Sequence, residues 1–172
     1  MFEVLVENIW QILLWGLLAT LAMTTIMYGS QGLGLSRLSL PFMVGTCVTA
    51  DRDWATVLGF VLYTLGGWAF ALLYVAILAS LGADSWWYGA VLGFLHSLFL
   101  LAVALPVMPH LHPRMASEYD EPGVRTLLEP PGFLGLNYGL QTPLVTVIAQ
   151  TTYGAILGAW HQTIAATGAG VS

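Results

Sequence analysis

The chain has 172 residues, is 58% hydrophobic with a mean hydropathy of +0.80, and is only 8% charged, against roughly 25% in soluble domains. So few charges cannot cover the surface of a soluble fold of this length. A net charge of −5 argues against nucleic acid, whose phosphates need a basic partner, and the lone Cys47 excludes a disulfide framework within the chain.

With histidine counted neutral, no charge falls in 8–36, 54–83, 85–113 or 130–172. A bilayer core needs about 20 apolar residues as helix. The pattern therefore predicts an all-α fold, a single membrane domain over 1–172, with spans near 8–28, 55–81, 86–108 and 142–165. The N-terminus reads MFEVLVENIW. Glu3 and Glu7 lack the positive charge that opens a secretory signal, so the first stretch is expected to be a retained helix.

The connection after the first span carries SLPFMVGTCVTA, residues 39–50. Ser39 as cap and Pro41 in the first turn predict a short interfacial helix, with Leu40, Met43, Val44, Cys47 and Val48 on one face. Asp53 is the expected cap of the second span. Gly-Ala-Asp-Ser at 82–85 reads as a tight hairpin, with Gly82 ending one helix and Asp84 or Ser85 capping the next. The long connection over 109–141 contains Pro109, Pro113, Pro122, Pro130 and Pro131, which forbid one continuous helix. Its apolar end, GFLGLNYGL, is expected at the interface or dipping into the bundle. Trp10, Trp15, Trp54, Trp86, Trp87, Tyr88 and Trp160 lie near span ends, where amphipathic rings favour headgroups.

There is no lysine, and Arg37, Arg52, Arg114 and Arg125 all lie in the two connections that four spans place on one face. The positive-inside rule makes these loops cytoplasmic and both termini external. LPFMVGT and PPGFLGL, each followed by a span, also suggest a weak internal duplication.

At about 100° per residue, Gly16, Thr20, Met23, Thr24 and Met27 share a side of the first helix. Gly59, Tyr63, Gly66, Phe70 and Tyr74 share one in the second, and Gly89, Gly93 and His96 one in the third. Thr142, Thr146, Gln150 and Tyr153, bordered by Gly154 and Gly158, share one in the fourth. Small residues allow membrane helices to approach closely, and polar ones bond between them. Rise per residue puts Thr20, Tyr63, His96 and Gln150 at similar depth, which predicts a midplane polar layer and a candidate binding site. His96 there is either a ligand-handling group or a neutral hydrogen-bonded strut.

His110-x-His112, with Glu118, Asp120 and Glu121 nearby, has the best metal-like spacing, and Met108 and Met115 add copper-type donors. A solvated turn at the membrane boundary explains the same residues. Asp51-Arg52-Asp53 reads as a cap and orientation signal, or as an ion-pair clamp to Arg114 or Glu118. No catalytic or phosphate-loop motif occurs, so no enzyme activity and no cofactor are expected.

LPFMVGTCVTADRD, HPRMASE, LEPPGFLGLNYG and TPLVTVIAQTTYGAILGAW together resemble a group of small uncharacterised bacterial four-helix integral membrane proteins, over about 29–160. The resemblance implies a four-helix membrane protein of the bacterial cytoplasmic membrane and no particular activity. Small size and Gly-rich faces point to a non-enzymatic accessory or structural subunit, contacting lipid, other membrane subunits or itself. The alternatives are a small transporter or channel using the layer around His96, and a metal or redox module using His110 and His112.

Overall fold

A computed structural model describes residues 2–116 and 128–167. Among these the chain is helical, without a β-strand: α1 (Phe2–Glu7), α2 (Ile9–Gly32), α3 (Leu40–Val48), α4 (Arg52–Leu81), α5 (Trp86–Phe99), a π-helical turn (Leu100–Ala104), α6 (Leu105–Leu111), a 3-10 segment (Phe133–Tyr138) and α7 (Thr142–Thr167). Three helical stretches, Ile9–Gly32, Arg52–Leu81 and Trp86–Leu111, are long and apolar enough to cross a membrane. The expected fourth, α7, has the length at 26 residues but falls short in apolarity. Its polar residues are the cause, and several of them, Thr142, Thr146, Gln150 and His161, are buried against protein. A helix whose polar side is covered by protein does not need the uniform hydropathy of one ringed by lipid.

The surface reverses that of a soluble protein. Leu14, Leu18 and Leu21 of α2, Val57, Val61, Leu65 and Leu73 of α4, and Val91, Phe94, Leu95 and Leu98 of α5 are exposed, while Thr20, Thr64 and Ser97 on the same helices are buried. Trp10, Trp54, Trp86 and Trp87 are exposed near helix ends as expected, but Trp160 is buried, with Nε1 donating to Gln11 Oε1 at 3.2 Å.

The chain forms two compact units, each assembled from segments distant in sequence. The first comprises Met1–Ile26, Thr64–Ser97 and Val147–Ser172. Its α5 and α7 meet through glycines on both sides. A Cβ added at Gly154 would lie 2.9 Å from the Gly89 carbonyl carbon and from the Gly93 nitrogen, and one at Gly89 would lie 2.8 Å from Gly158 Cα. Backbones at this separation leave no room for any side chain. In the same unit, Gly16 faces Ala71, and Gly67 faces Thr20. The α4–α5 hairpin ends as expected, with Gly82 at φ +59° and the Ala83 N–H bonding back to the Leu78 carbonyl at 3.0 Å. The next helix start is different: the Trp86 N–H donates to Gln162 Oε1 of α7 at 3.0 Å.

The second unit comprises Met27–Tyr63 and Leu98–Thr146. Here α3 docks on α4 through Gly45 and Gly59, where a Cβ would come within 2.7 Å of the Ala55 carbonyl carbon and 2.8 Å of the Pro41 carbonyl carbon respectively. The buried face of α3 is Leu40, Pro41, Met43, Gly45 and Thr46, while Cys47 and Val48 of the predicted face are exposed. Close backbone approach, not side-chain apolarity, chose that face. The cap of α4 is Asp51, not Asp53: Asp51 Oδ1 accepts the N–H groups of Asp53 at 3.0 Å and Trp54 at 2.9 Å. Asp51→Ala is expected to lower thermal stability by about 1 kcal/mol, and Asp53→Ala by much less, in a side-by-side melt.

The π-helical turn precedes Pro106, and the Leu105 N–H bonds five residues back to the Leu100 carbonyl. Widening the helix there accommodates a residue with no N–H and a ring that crowds the preceding turn. LPFMVGT forms an α-helix, but PPGFLGL enters a coil with Gly132, Leu134 and Gly135 at positive φ. The two segments of the suggested duplication therefore differ in conformation. That coil is tied down locally: Asn137 Nδ2 donates to the Pro130 carbonyl at 2.9 Å, and Gly135 is buried against Leu105 and Thr142.

Candidate functional site

Within the first unit, helix positions on the predicted inner faces form a connected polar and aromatic network that runs from exposed Phe70 and half-buried His96 to buried Tyr74 and Tyr153. His96 Nδ1 of α5 shares a hydrogen bond with the Tyr74 hydroxyl of α4 at 3.1 Å, and the Phe70 ring lies 4.3 Å from the imidazole, centroid to centroid. Tyr74 meets Tyr153 of α7 edge to face at 5.5 Å. The Tyr153 hydroxyl donates to the Gly67 carbonyl at 2.7 Å, which a buried donor requires. Gly67 faces Thr20 of α2, whose hydroxyl donates to the Gly16 carbonyl at 2.8 Å. Gln150 is buried in the same unit, and its carbonyl carbon would lie 2.9 Å from a Cβ at Gly93.

Of the expected layer, Thr20, His96 and Gln150 belong to this unit, and Tyr63 belongs to the second. The residues that meet His96 are Tyr74 and Phe70. Their signal was available in the short hairpin. Residues equidistant from its centre, between Ala83 and Asp84, lie level, which sets His96 opposite the stretch between Phe70 and Tyr74.

The two histidines of the HxH pair have different environments. His110 is exposed in the last turn of α6. His112 is buried, and both its ring nitrogens are engaged. Nδ1 accepts the Arg114 N–H at 3.1 Å, so Nε2 carries the proton and donates to the Met43 carbonyl at 3.0 Å, with the Thr46 hydroxyl 3.2 Å away. Neither nitrogen can take a metal without giving up a hydrogen bond. Among the described residues there is no group of three His, Cys, Asp or Glu side chains that could hold a metal ion, and Glu118, Asp120 and Glu121 lie outside them.

Arg114 does clamp the two connections, although not through a carboxylate. Its Nη1 donates to the carbonyls of Thr46 at 2.7 Å and Cys47 at 3.0 Å. A guanidinium there satisfies the end of α3 and complements its dipole. Partial burial pushes the Cys47 thiol above its ordinary value, and the Arg114 charge opposes this more weakly. The thiolate is thus scarcer near neutrality than in a free cysteine. Maleimide labelling of Cys47 is expected to be slow at pH 7 and to keep rising past pH 9. Arg114→Gln should slow it further, as a labelling-rate profile against pH would register.

Comparison with protein-family models, with curated proteins and with solved structures finds no match.

Proposed function

We propose that this chain is a four-span integral protein of a bacterial cytoplasmic membrane, with both termini outside. It acts without enzymatic chemistry, as an accessory or structural subunit beside other membrane proteins. The observation that carries this reading is the contrast between interior and surface. Inside the first unit, the polar side chains of Tyr74, His96, Tyr153 and Thr20 bond to one another or to backbone. Outside, α2, α4 and α5 present rows of Leu, Val and Phe. Helices α5 and α7 use Gly89, Gly93, Gly154 and Gly158 against each other within the chain, so a partner would meet the apolar rows and not these glycines. The fourth crossing would be α7, whose Thr142, Thr146 and Gln150 are buried against protein and withdrawn from lipid.

Extraction in mild detergent followed by native mass measurement tests the reading. A stoichiometric membrane partner is expected, at a mass well above the 18.5 kDa chain. A monodisperse, unaccompanied 18.5 kDa species would contradict it. The hydrogen-bonded His96–Tyr74 pair favours a second reading, transport through the interior. Proteoliposome flux that disappears in His96→Ala would replace the first reading with that one.

A further inference from the structure

The second unit holds a cleft of about 500 Å³ whose walls include Arg37, Arg52, Tyr28, Tyr138, Ser39 and Thr56. That volume falls within the usual range of small-ligand sites. Two guanidinium groups converge on it from different segments, Arg37 before α3 and Arg52 at the start of α4. Arg37 is anchored on one wall. Its Nη2 lies 3.2 Å from Glu129 Oε2 and 2.6 Å from the Asn137 carbonyl, which accepts from it. Arg52 is different. Its guanidinium sits 5.8 Å over the Phe42 ring, and among the described residues it has no ion pair. Among the described residues the walls therefore carry two positive charges and one negative, with hydroxyl groups from Tyr28, Ser39 and Thr56 around them.

We propose that this cleft binds a phosphate group, with Arg52 as its principal charged donor, and that the phosphate is that of an anionic lipid headgroup. Arginine presents a planar fork of donors that matches two phosphate oxygens at once. Position selects the lipid. Tyr28 lies in the last turns of one membrane-length helix and Arg52 is the first residue of another, so the cleft opens where such helices end. Leu33 and Trp54, at the same helix ends, are strongly exposed and suited to acyl chains and the headgroup boundary. Inorganic phosphate offers the same chemistry without the chains.

The full chain in a neutral sugar detergent is titrated with dihexanoyl phosphatidylglycerol, and separately with inorganic phosphate, with phosphorus NMR line broadening as the readout. Saturable broadening by the lipid is expected. Arg52→Gln should weaken it about tenfold, the loss of one charge-assisted contact. Thr56→Leu keeps both arginines and fills the cleft, so it should weaken binding even if Arg52→Gln fails to fold. Competition by inorganic phosphate would show that the phosphate alone is recognised. Lipid binding without such competition would show that the headgroup and chains are needed, and both results sustain the site. Absence of saturable binding of either probe to the wild-type chain, or wild-type affinity in a folded Arg52→Gln or in Thr56→Leu, would overturn it.

Discussion

Gly154→Leu is expected to cost about 3 kcal/mol or more of stability and to abolish the monodisperse folded protein in detergent. Overpacking a tight interior commonly costs 1–3 kcal/mol, and more when backbone must move. Here backbone must move, because the atoms a new side chain would meet are the Gly89 carbonyl and the Gly93 nitrogen, not the flexible end of a side chain. Separation of α5 from α7 would also loosen the bond between the Trp86 N–H and Gln162 Oε1. Gly66→Leu is the control, since a Cβ at Gly66 meets nothing within 4 Å. Thermal aggregation in one detergent, compared across the three proteins, checks both. Equal stability of Gly154→Leu and wild type would refute the close approach.

His112→Leu is expected to cost about 2–4 kcal/mol, whereas His110→Leu should be nearly silent. The first removes the acceptor of the Arg114 N–H and the donor to the Met43 carbonyl, both in buried or part-buried settings. A buried group left without its hydrogen bond costs about 1–3 kcal/mol, and two are involved. His110 is exposed. A shared metal site would instead make the two substitutions similar in effect and coupled to added metal. Denaturation curves of both variants, with and without a chelator, separate these outcomes. Strong loss of stability in His110→Leu would contradict the structural role assigned to His112 alone.

The sequence located the long helices because charge is excluded from apolar spans, and charges are easy to read. Starts and ends fell within a few residues, and the Gly82 turn was legible from glycine's tolerance of positive φ. The inner faces of α5 and α7 were legible for a similar reason, as small and polar residues at helical spacing have little reason to face lipid. What helical spacing does not encode is which neighbour a face meets. Depth along a helix groups residues into a layer, but it does not name Tyr74 and Phe70 as the side chains that His96 touches. The exposed Cys47 and Val48 on α3 follow from the same limit: the docking point was set by Gly45 against Ala55 and Gly59, which no apolar pattern marks. Among the described residues the ion-pair clamp between Asp51-Arg52-Asp53 and Arg114 does not form; Arg114 reaches the other connection through the carbonyls of Thr46 and Cys47, which every residue carries and no sequence distinguishes. The polarity of α7 is legible in the sequence, and it is what leaves this helix short of the apolarity of the other three long stretches.

The crossing of α7 and the side occupied by the arginine-bearing loops are tested most directly by labelling two cysteines from either side of the membrane. Cys47, exposed and the only native cysteine, reports on the connection between α2 and α4. Ser172→Cys in a Cys47→Ser background reports on the C-terminus. With an impermeant maleimide at pH 8.5, Cys47 is expected to react only in inverted vesicles, and the residue-172 thiol only in intact spheroplasts. Reaction of both from the same side would mean that α7 does not cross, and would contradict the four-span reading.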